Sequence, residues 1–237
     1  MPTAAALIIG NEILSGKFQD ENGPFLISRL RTLGCDLKRL VVLADDPEDI
    51  AREVAQCSAA YDVVITTGGV GPTHDDITLE SIARAFQSPL VLEPTLLALL
   101  TKYGLPDNDA TRRMVHIPEN TELVWAEGLT YPVLVVRNVY IFPGVPKLMR
   151  AKFEHVSSRF AGQTVETARL YVTQGETEIA HTLSVVQDAF PEVDIGSYPR
   201  WGEGPFRVIV TLESRDGEQL GRAAAQLRDQ LDCIDPT

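Results

Sequence analysis

The stretch "VVITTGGVGPTHDDITLESIARAF", residues 63–86, decides the fold. It opens as a short apolar run of β-branched residues, the mark of a buried strand. Gly68, Gly69, Gly71 and Pro72 then break the chain into a turn. Leu79, Ile82, Ala83 and Phe86 follow at the spacing of one helix face. A strand feeding a helix through a glycine turn is half of a parallel α/β unit. The turn also carries Asp75 and Asp76 side by side. Glycine turns of this kind present backbone N–H groups and a helix N-terminus to anions. Paired carboxylates repel an anion, so the two features call for something between them.

Working outward, the same alternation repeats. "AAALIIG" (4–10) reads as a buried strand closed by glycine. Residues 22–34 place Leu26, Leu30 and Leu33 on one helical face, with Pro24 near the start and Gly34 as a stop. Residues 35–43 return as a strand. Residues 45–57 begin with a capping aspartate and Pro47, then set Ile50, Val54 and Cys57 on one face. Residues 61–67 form the next buried strand. Residues 94–114 read as one or two helices broken at "GLPDN", and 115–130 as irregular. Residues 131–156 give two strands with a turn near Arg137–Asn138, a "PGVP" turn and a helix.

The polar stretch at 159–165 reads as a boundary. The order after it is strand, helix, two strands, helix, which suits a small α+β domain. We therefore expect an α/β domain built on a parallel sheet over residues 1–160 and a small α+β domain over 161–237. Ligands of such sheets bind at the carboxyl ends of the strands. Here those ends carry Gly10 to Lys17, Asp45–Asp46 and the quoted turn.

Composition narrows the function. The chain has 237 residues, 44% apolar, with a formal net charge of −12. That charge argues against a nucleic-acid backbone or an anionic membrane as partner. Cys35, Cys57 and Cys233 are isolated and lack metal or disulfide spacing. The N-terminal apolar run is too short to span a bilayer and follows no basic segment. A cytoplasmic protein is expected.

The chemistry concentrates at the turn. It is not a P-loop, because no Lys-Ser/Thr follows the glycines. It is not a dinucleotide fingerprint, because His74 stands where the last glycine belongs. Glycine turns can be purely geometric, and Asp76 suits a helix N-cap. Two adjacent carboxylates exceed what capping needs, and Glu12, Asp45 and Asp46 are expected at the same sheet edge. Oxygen-rich clusters recruit hard divalent cations such as Mg²⁺ or Mn²⁺. A cation between carboxylates and a diphosphate would resolve the conflict of charges. His74 can act as a general acid or base or as a plain hydrogen-bonding group; His116, His155 and His181 are scattered. Lys17, Arg112, Arg113 and Lys147 can offset ligand charge or stand solvated. Tyr198 and Trp201, in "GSYPRWGEG" (196–204), can stack on an aromatic ring or plug a domain junction.

"TTGGVGPTHDDIT" (66–78), "GNEILSG" (10–16), "DENGPFLISRLRTLG" (20–34) and "FPGVPKLM" (142–149) resemble the molybdopterin-binding-type domain. That domain opens the competence/damage-inducible protein A (CinA) family and the animal-type FAD synthases. "YPVLVVRNVYIFPGVP" and "GSYPRWG" are more similar to the FAD-synthase branch than to the "GTAPG"-like pattern of CinA proteins. The resemblance implies a three-layer α/β/α domain with a mostly parallel sheet together with the small α+β domain, a dimer or trimer, and a divalent-metal-dependent (Mg, Mn or Co) pyrophosphatase, a hydrolase cleaving the diphosphate of FAD or ADP-ribose to release AMP. More distant relatives bind molybdopterin and adenylylate it, so a molybdopterin-binding, adenylyl-transfer or non-catalytic nucleotide-binding module is the alternative. Residue by residue, the resemblance implies catalytic roles for Asp45, Asp75 and Asp76 and metal ligation by Asp75, Asp76 and Glu12. Phosphate or nucleotide would be held by Gly68, Gly69, Gly71, Thr73, Asn22 and Gly144. Nothing in the 237 residues resembles the amidohydrolase domain of CinA proteins or the nucleotidyl-transferase domain that makes FAD, so neither activity is expected.

Overall fold

The computed structural model describes residues 1–202 and 204–235, in two compact units, Met1–Gly162 and Gln163–Thr237. In the first unit the order is β1 (Thr3–Ile9), α1 (Asn11–Leu14), α2 (Asn22–Thr32), β2 (Asp36–Leu43), α3 (Pro47–Ala60), β3 (Val63–Thr67) and α4 (Thr78–Ala85). There follow β4 (Leu90–Leu92), α5 (Pro94–Lys102), α6 (Asp109–Val115), β5 (His116–Pro118), β6 (Glu122–Val124), β7 (Val133–Val136), β8 (Val139–Phe142) and α7 (Pro146–Val156). A 3₁₀ turn, Ser157–Phe160, ends the unit.

The main sheet runs β2-β1-β3-β8-β7-β6. β2, β1, β3 and β8 are parallel, while β7 and β6 join antiparallel. The alternation of side chains along a strand divides the core into two layers. Ala5, Leu7, Ile9 and Val64 pack with Ile50 and Val54 of α3, Ile82 of α4 and Leu96 of α5. Ala4, Ala6, Ile8 and Ile65 pack with Leu26 and Leu30 of α2 and Met149 and Phe153 of α7. Both faces of the central strands β1 and β3 are covered, which is why they read as unbroken apolar runs; the edge strand β2 is partly exposed. This is the expected three-layer α/β/α arrangement with a mostly parallel sheet.

Two local expectations need correction. Residues 115–130 are not all irregular. β5 pairs with β4, Val91 opposite Ile117, and β6 pairs with β7, Leu123 opposite Leu134. Strands of three residues have no period to read, and their pairing with distant segments holds them. Nor is Asp76 the cap of α4: that position falls to Ile77, without a side-chain cap. The cap of α3 is Asp46, whose carboxylate accepts from the N–H groups of Glu48 and Asp49 at 2.9 Å each.

The second unit contains β9 (Glu166–Val172), α8 (Glu176–Ala189), β10 (Asp194–Pro199), β11 (Val208–Ser214), α9 (Gly217–Gln230) and β12 (Cys233–Ile234). Its antiparallel sheet is ordered β10-β11-β9-β12. β11 alternates buried and half-buried residues, and Val208, Val210 and Leu212 pack with Ile179 and Val186 of α8 and Leu220 and Leu227 of α9. β12 extends the strand-helix order read from the sequence. Of the stretch 196–204, Tyr198 lies in β10 and Trp201 follows it, and both are exposed. Glu203 of that stretch lies outside the described residues.

Candidate functional site at the carboxyl edge of the parallel strands

Parallel pairing sets four loops on one edge. Gly10 follows β1, Asp45 follows β2, Gly68 follows β3 and Gly144 follows β8. Register brings their ends level, with Ile9 opposite Leu43 and Thr67 opposite both Ile8 and Phe142.

The glycine turn is built by close approach. Gly68 has φ of 104°, a region that favours glycine, and a Cβ there would collide with the Ile9 carbonyl oxygen. Gly68 N–H donates to Phe142 O at 3.2 Å. The turn is closed by Thr78, fully buried, whose hydroxyl donates to Gly68 O at 2.8 Å and whose N–H donates to Gly69 O at 3.0 Å. Beneath it Asn22, 5% exposed, donates from Nδ2 to Thr67 Oγ1 (2.9 Å) and to Gly144 O (2.8 Å). Thr67 Oγ1 donates onward to Pro143 O at 2.9 Å. Asn22 and Thr67 therefore tie α2, β3 and the Pro143–Gly144 turn together. Asn22 Oδ1 is buried without a hydrogen-bond partner.

Asp75 and Asp76 share one partner. Thr73 Oγ1 lies 2.5 Å from Asp75 Oδ1 and 2.6 Å from Asp76 Oδ2. Thr73 N–H also donates to Asp76 Oδ2 at 2.8 Å. A hydroxyl has a single hydrogen. It can bridge to one of these carboxylate oxygens, leaving the other oxygen–oxygen contact without a proton. Asp75 is exposed and Asp76 half-buried. The Thr73 hydroxyl holds the Asp75 carboxyl below the usual carboxylate range, helped by its own backbone N–H and by the charge of His74. The Asp76 carboxylate lies against Gly71, where a Cβ would stand 2.7 Å from Asp76 Oδ2. A side chain at 71 would therefore displace the carboxylate, whereas the backbone of the turn does not itself require glycine there.

The other acidic candidates have their own partners. Asp45 Oδ2 accepts from Asn11 N–H at 2.9 Å, and Asn11 Oδ1 accepts from Asp45 N–H at 3.4 Å. This reciprocal pair binds the ends of β1 and β2. The exposed Glu12 carboxylate lies over Gly10. Among the described residues no three His, Cys, Asp or Glu side chains are grouped as a metal centre. The chemistry of the donor set fits a Mg²⁺-like ion all the same. Such ions are typically held by one or two carboxylates together with phosphate oxygens and water. The proton-deficient contact at Thr73 is one that a cation would relieve.

A cleft of ≈ 430 Å³ opens beside this pair. Gly71, His74 and Asp76 line it from the turn, Ile77 and Leu79 from the start of α4, and Arg112, Arg113 and His116 from α6 and β5. Arg113 Nη1 donates to Pro72 O at 3.1 Å. Arg112 is held by Asp107 through two bonds of 2.6 and 3.1 Å. Lys17, Lys147, His155 and His181 are exposed and do not line the cleft. Thr78 and Asn11 were not singled out from the sequence. A threonine opening a helix straight after a glycine turn was the available signal for the first. Asn11 offered none, because its partner comes from another strand end.

No helix among the described residues is long and apolar enough to cross a membrane. The family model described as "FAD synthase, middle domain" matches residues 164–235. A protein of Archaeoglobus fulgidus is 36% identical over 94% of this chain and 95% of its own length. The "Probable FAD synthase" of Caenorhabditis elegans is 33% identical over 97% of this chain, which spans 50% of that relative's length. The crystal structure of the protein CinA, of unknown function, from Thermoplasma acidophilum superposes with a TM-score of 0.62 at 31% identity, covering 67% of this chain and 98% of that one. Residues 5–162 match the model described as "Probable molybdopterin binding domain", which is more than half of the sequence, and the chain belongs to that family.

Proposed function

We propose that the protein is a divalent-metal-dependent hydrolase of a nucleotide diphosphate linkage, with FAD the favoured substrate and ADP-ribose next. The observation that carries this reading is the Asp75–Thr73–Asp76 cluster, where one hydroxyl, with a single hydrogen, lies against two carboxylates on a glycine turn. The FAD-synthase relatives and the middle-domain match support a flavin nucleotide as ligand.

In this reading the N–H groups of the glycine turn bind a phosphate, and Asp75 and Asp76 would hold the cation together with phosphate oxygens and water; Asp45 and Glu12 are not grouped with them among the described residues. A divalent ion there would supply charge neutralisation between carboxylate and phosphate and would lower the pKa of a water. The water oxygen bonds to one phosphorus as the bridging P–O bond breaks. FAD and water give AMP and FMN; ADP-ribose and water give AMP and ribose 5-phosphate. His74, exposed on the same turn, or one of the carboxylates takes the water's proton.

The test is AMP release by metal-stripped protein incubated with FAD or ADP-ribose and Mg²⁺, Mn²⁺ or Co²⁺. Metal-dependent AMP, lost in Asp76→Asn with the fold retained, is the expected result. No AMP from either substrate with any of the three metals, from folded protein, would overturn the reading. A second reading, molybdopterin binding, adenylyl transfer or nucleotide binding without turnover, is favoured by the description of the family that matches residues 5–162. It predicts ligand binding at the same turn with no AMP release.

A further inference from the structure

Two consecutive arginines face the cleft beside the turn, and their surroundings differ. Arg112 is bound in parallel to both carboxylate oxygens of Asp107, so its charge is already answered. Arg113 has no carboxylate partner among the described residues. Its one recorded bond goes from Nη1 to the carbonyl of Pro72, the residue before Thr73. A guanidinium carries five N–H donors, and a single carbonyl leaves most of them available. Of the acidic residues lining the cleft, Glu80 lies 3.7 Å from Arg84 and Asp76 accepts from Thr73, while Asp109 makes no ion pair with Arg113. Arg113 is thus a cation tethered to the backbone of the glycine turn and lacking a counter-ion.

We propose that Arg113 is the ligand of the second phosphoryl group, and that it makes this a site for a nucleoside diphosphate group and not for a phosphate monoester. The inference rests on the hydrolase reading, in which the turn's N–H groups take one phosphate. The neighbouring phosphate of the same diphosphate lies within one P–O–P bridge of it. A guanidinium fixed to Pro72 O meets it with paired donors, the geometry arginine uses for phosphate. A monophosphate seated on the turn offers Arg113 no second group.

The experiment is calorimetric binding of α,β-methylene-ADP, which cannot be cleaved at its bridge, and of AMP, both in Mg²⁺. The wild-type protein is expected to favour the methylene diphosphate by roughly tenfold or more, the scale of one charge-assisted bond. Arg113→Gln should bring the ratio to about one with AMP affinity and thermal midpoint unchanged. Arg113→Lys should keep part of the preference. Equal affinities in the wild type, or a preference that survives in Arg113→Gln, would overturn the inference. AMP release from FAD, measured in parallel, separates the two claims. Preference lost in Arg113→Gln without wild-type turnover sinks the hydrolase reading alone. Turnover with the preference intact in Arg113→Gln sinks this inference alone.

Discussion

The Asn22 side-chain amide donates to the Gly144 carbonyl across 2.8 Å, and the same nitrogen donates to Thr67 Oγ1 across 2.9 Å. The orientation of the amide is fixed by its neighbours. Thr67 gives its own hydrogen to Pro143 O, so it can only accept from Asn22. Gly144 in turn lies against Gly68, where an added Cβ would stand 3.3 Å from Gly68 Cα. The amide thus sets the height of the Pro143–Gly144 turn against the glycine turn of the site.

Asn22→Ala should cost about 1–3 kcal/mol, because the buried Thr67 Oγ1 and the part-buried Gly144 O both lose their donor. Asn22→Asp should cost more, although it keeps the shape. It sets a carboxylate oxygen against the Gly144 carbonyl with no hydrogen between them. Urea unfolding of both variants checks the order. An Asp variant at least as stable as the Ala variant would show that the amide nitrogen does not face Gly144.

Two glycines of the turn should fail in different ways. Gly71 lacks a positive φ, so Gly71→Ala leaves the backbone unstrained and displaces only the Asp76 carboxylate. Stability should change by less than about 1 kcal/mol, while AMP release should fall roughly 10²-fold if Asp76 moves by about 1 Å. Gly68→Ala meets the Ile9 carbonyl at a φ of 104° and should cost more than about 2 kcal/mol. Unfolding curves and AMP release measured on both variants decide the matter. Unchanged AMP release in Gly71→Ala would remove Asp76 from the machinery.

The sheet was legible because its central strands are buried on both faces: Ala4 to Ile9 form an unbroken apolar run that admits few other readings. β4, β5 and β6 were not, since three residues carry no period and Leu90 meets Pro118 only through the tertiary fold. The glycines and the aspartate pair were legible as a motif. Their internal bonding was not, because adjacency in sequence does not say that Thr73 serves both carboxylates. The roles of Asn22 and Arg113 depend on partners 122 and 41 residues away. No local pattern encodes such distances.

Lys152 offers a test in pH. Its ammonium on α7 donates to Tyr131 O (2.8 Å) and Pro132 O (2.6 Å) and lies 4.7 Å from the centre of the Tyr131 ring. Burial pushes it down from 10.5 to about 8, working against the two carbonyls that favour the charged form. Below about pH 8 both folded and unfolded chains hold the proton, and the contribution is flat. Between 8 and 10.5 the unfolded chain binds more protons, so stability rises with pH. The gain closes near pH 10, where the ordinary tyrosine ionises in the unfolded chain while burial holds the Tyr131 phenol up. Unfolding free energies of wild type minus Lys152→Met, which keeps an apolar stem, should therefore climb from pH 8 to pH 10, by at most roughly 2.5 kcal/mol. A flat difference across that range would mean that the two carbonyls, and not burial, govern the proton on Lys152.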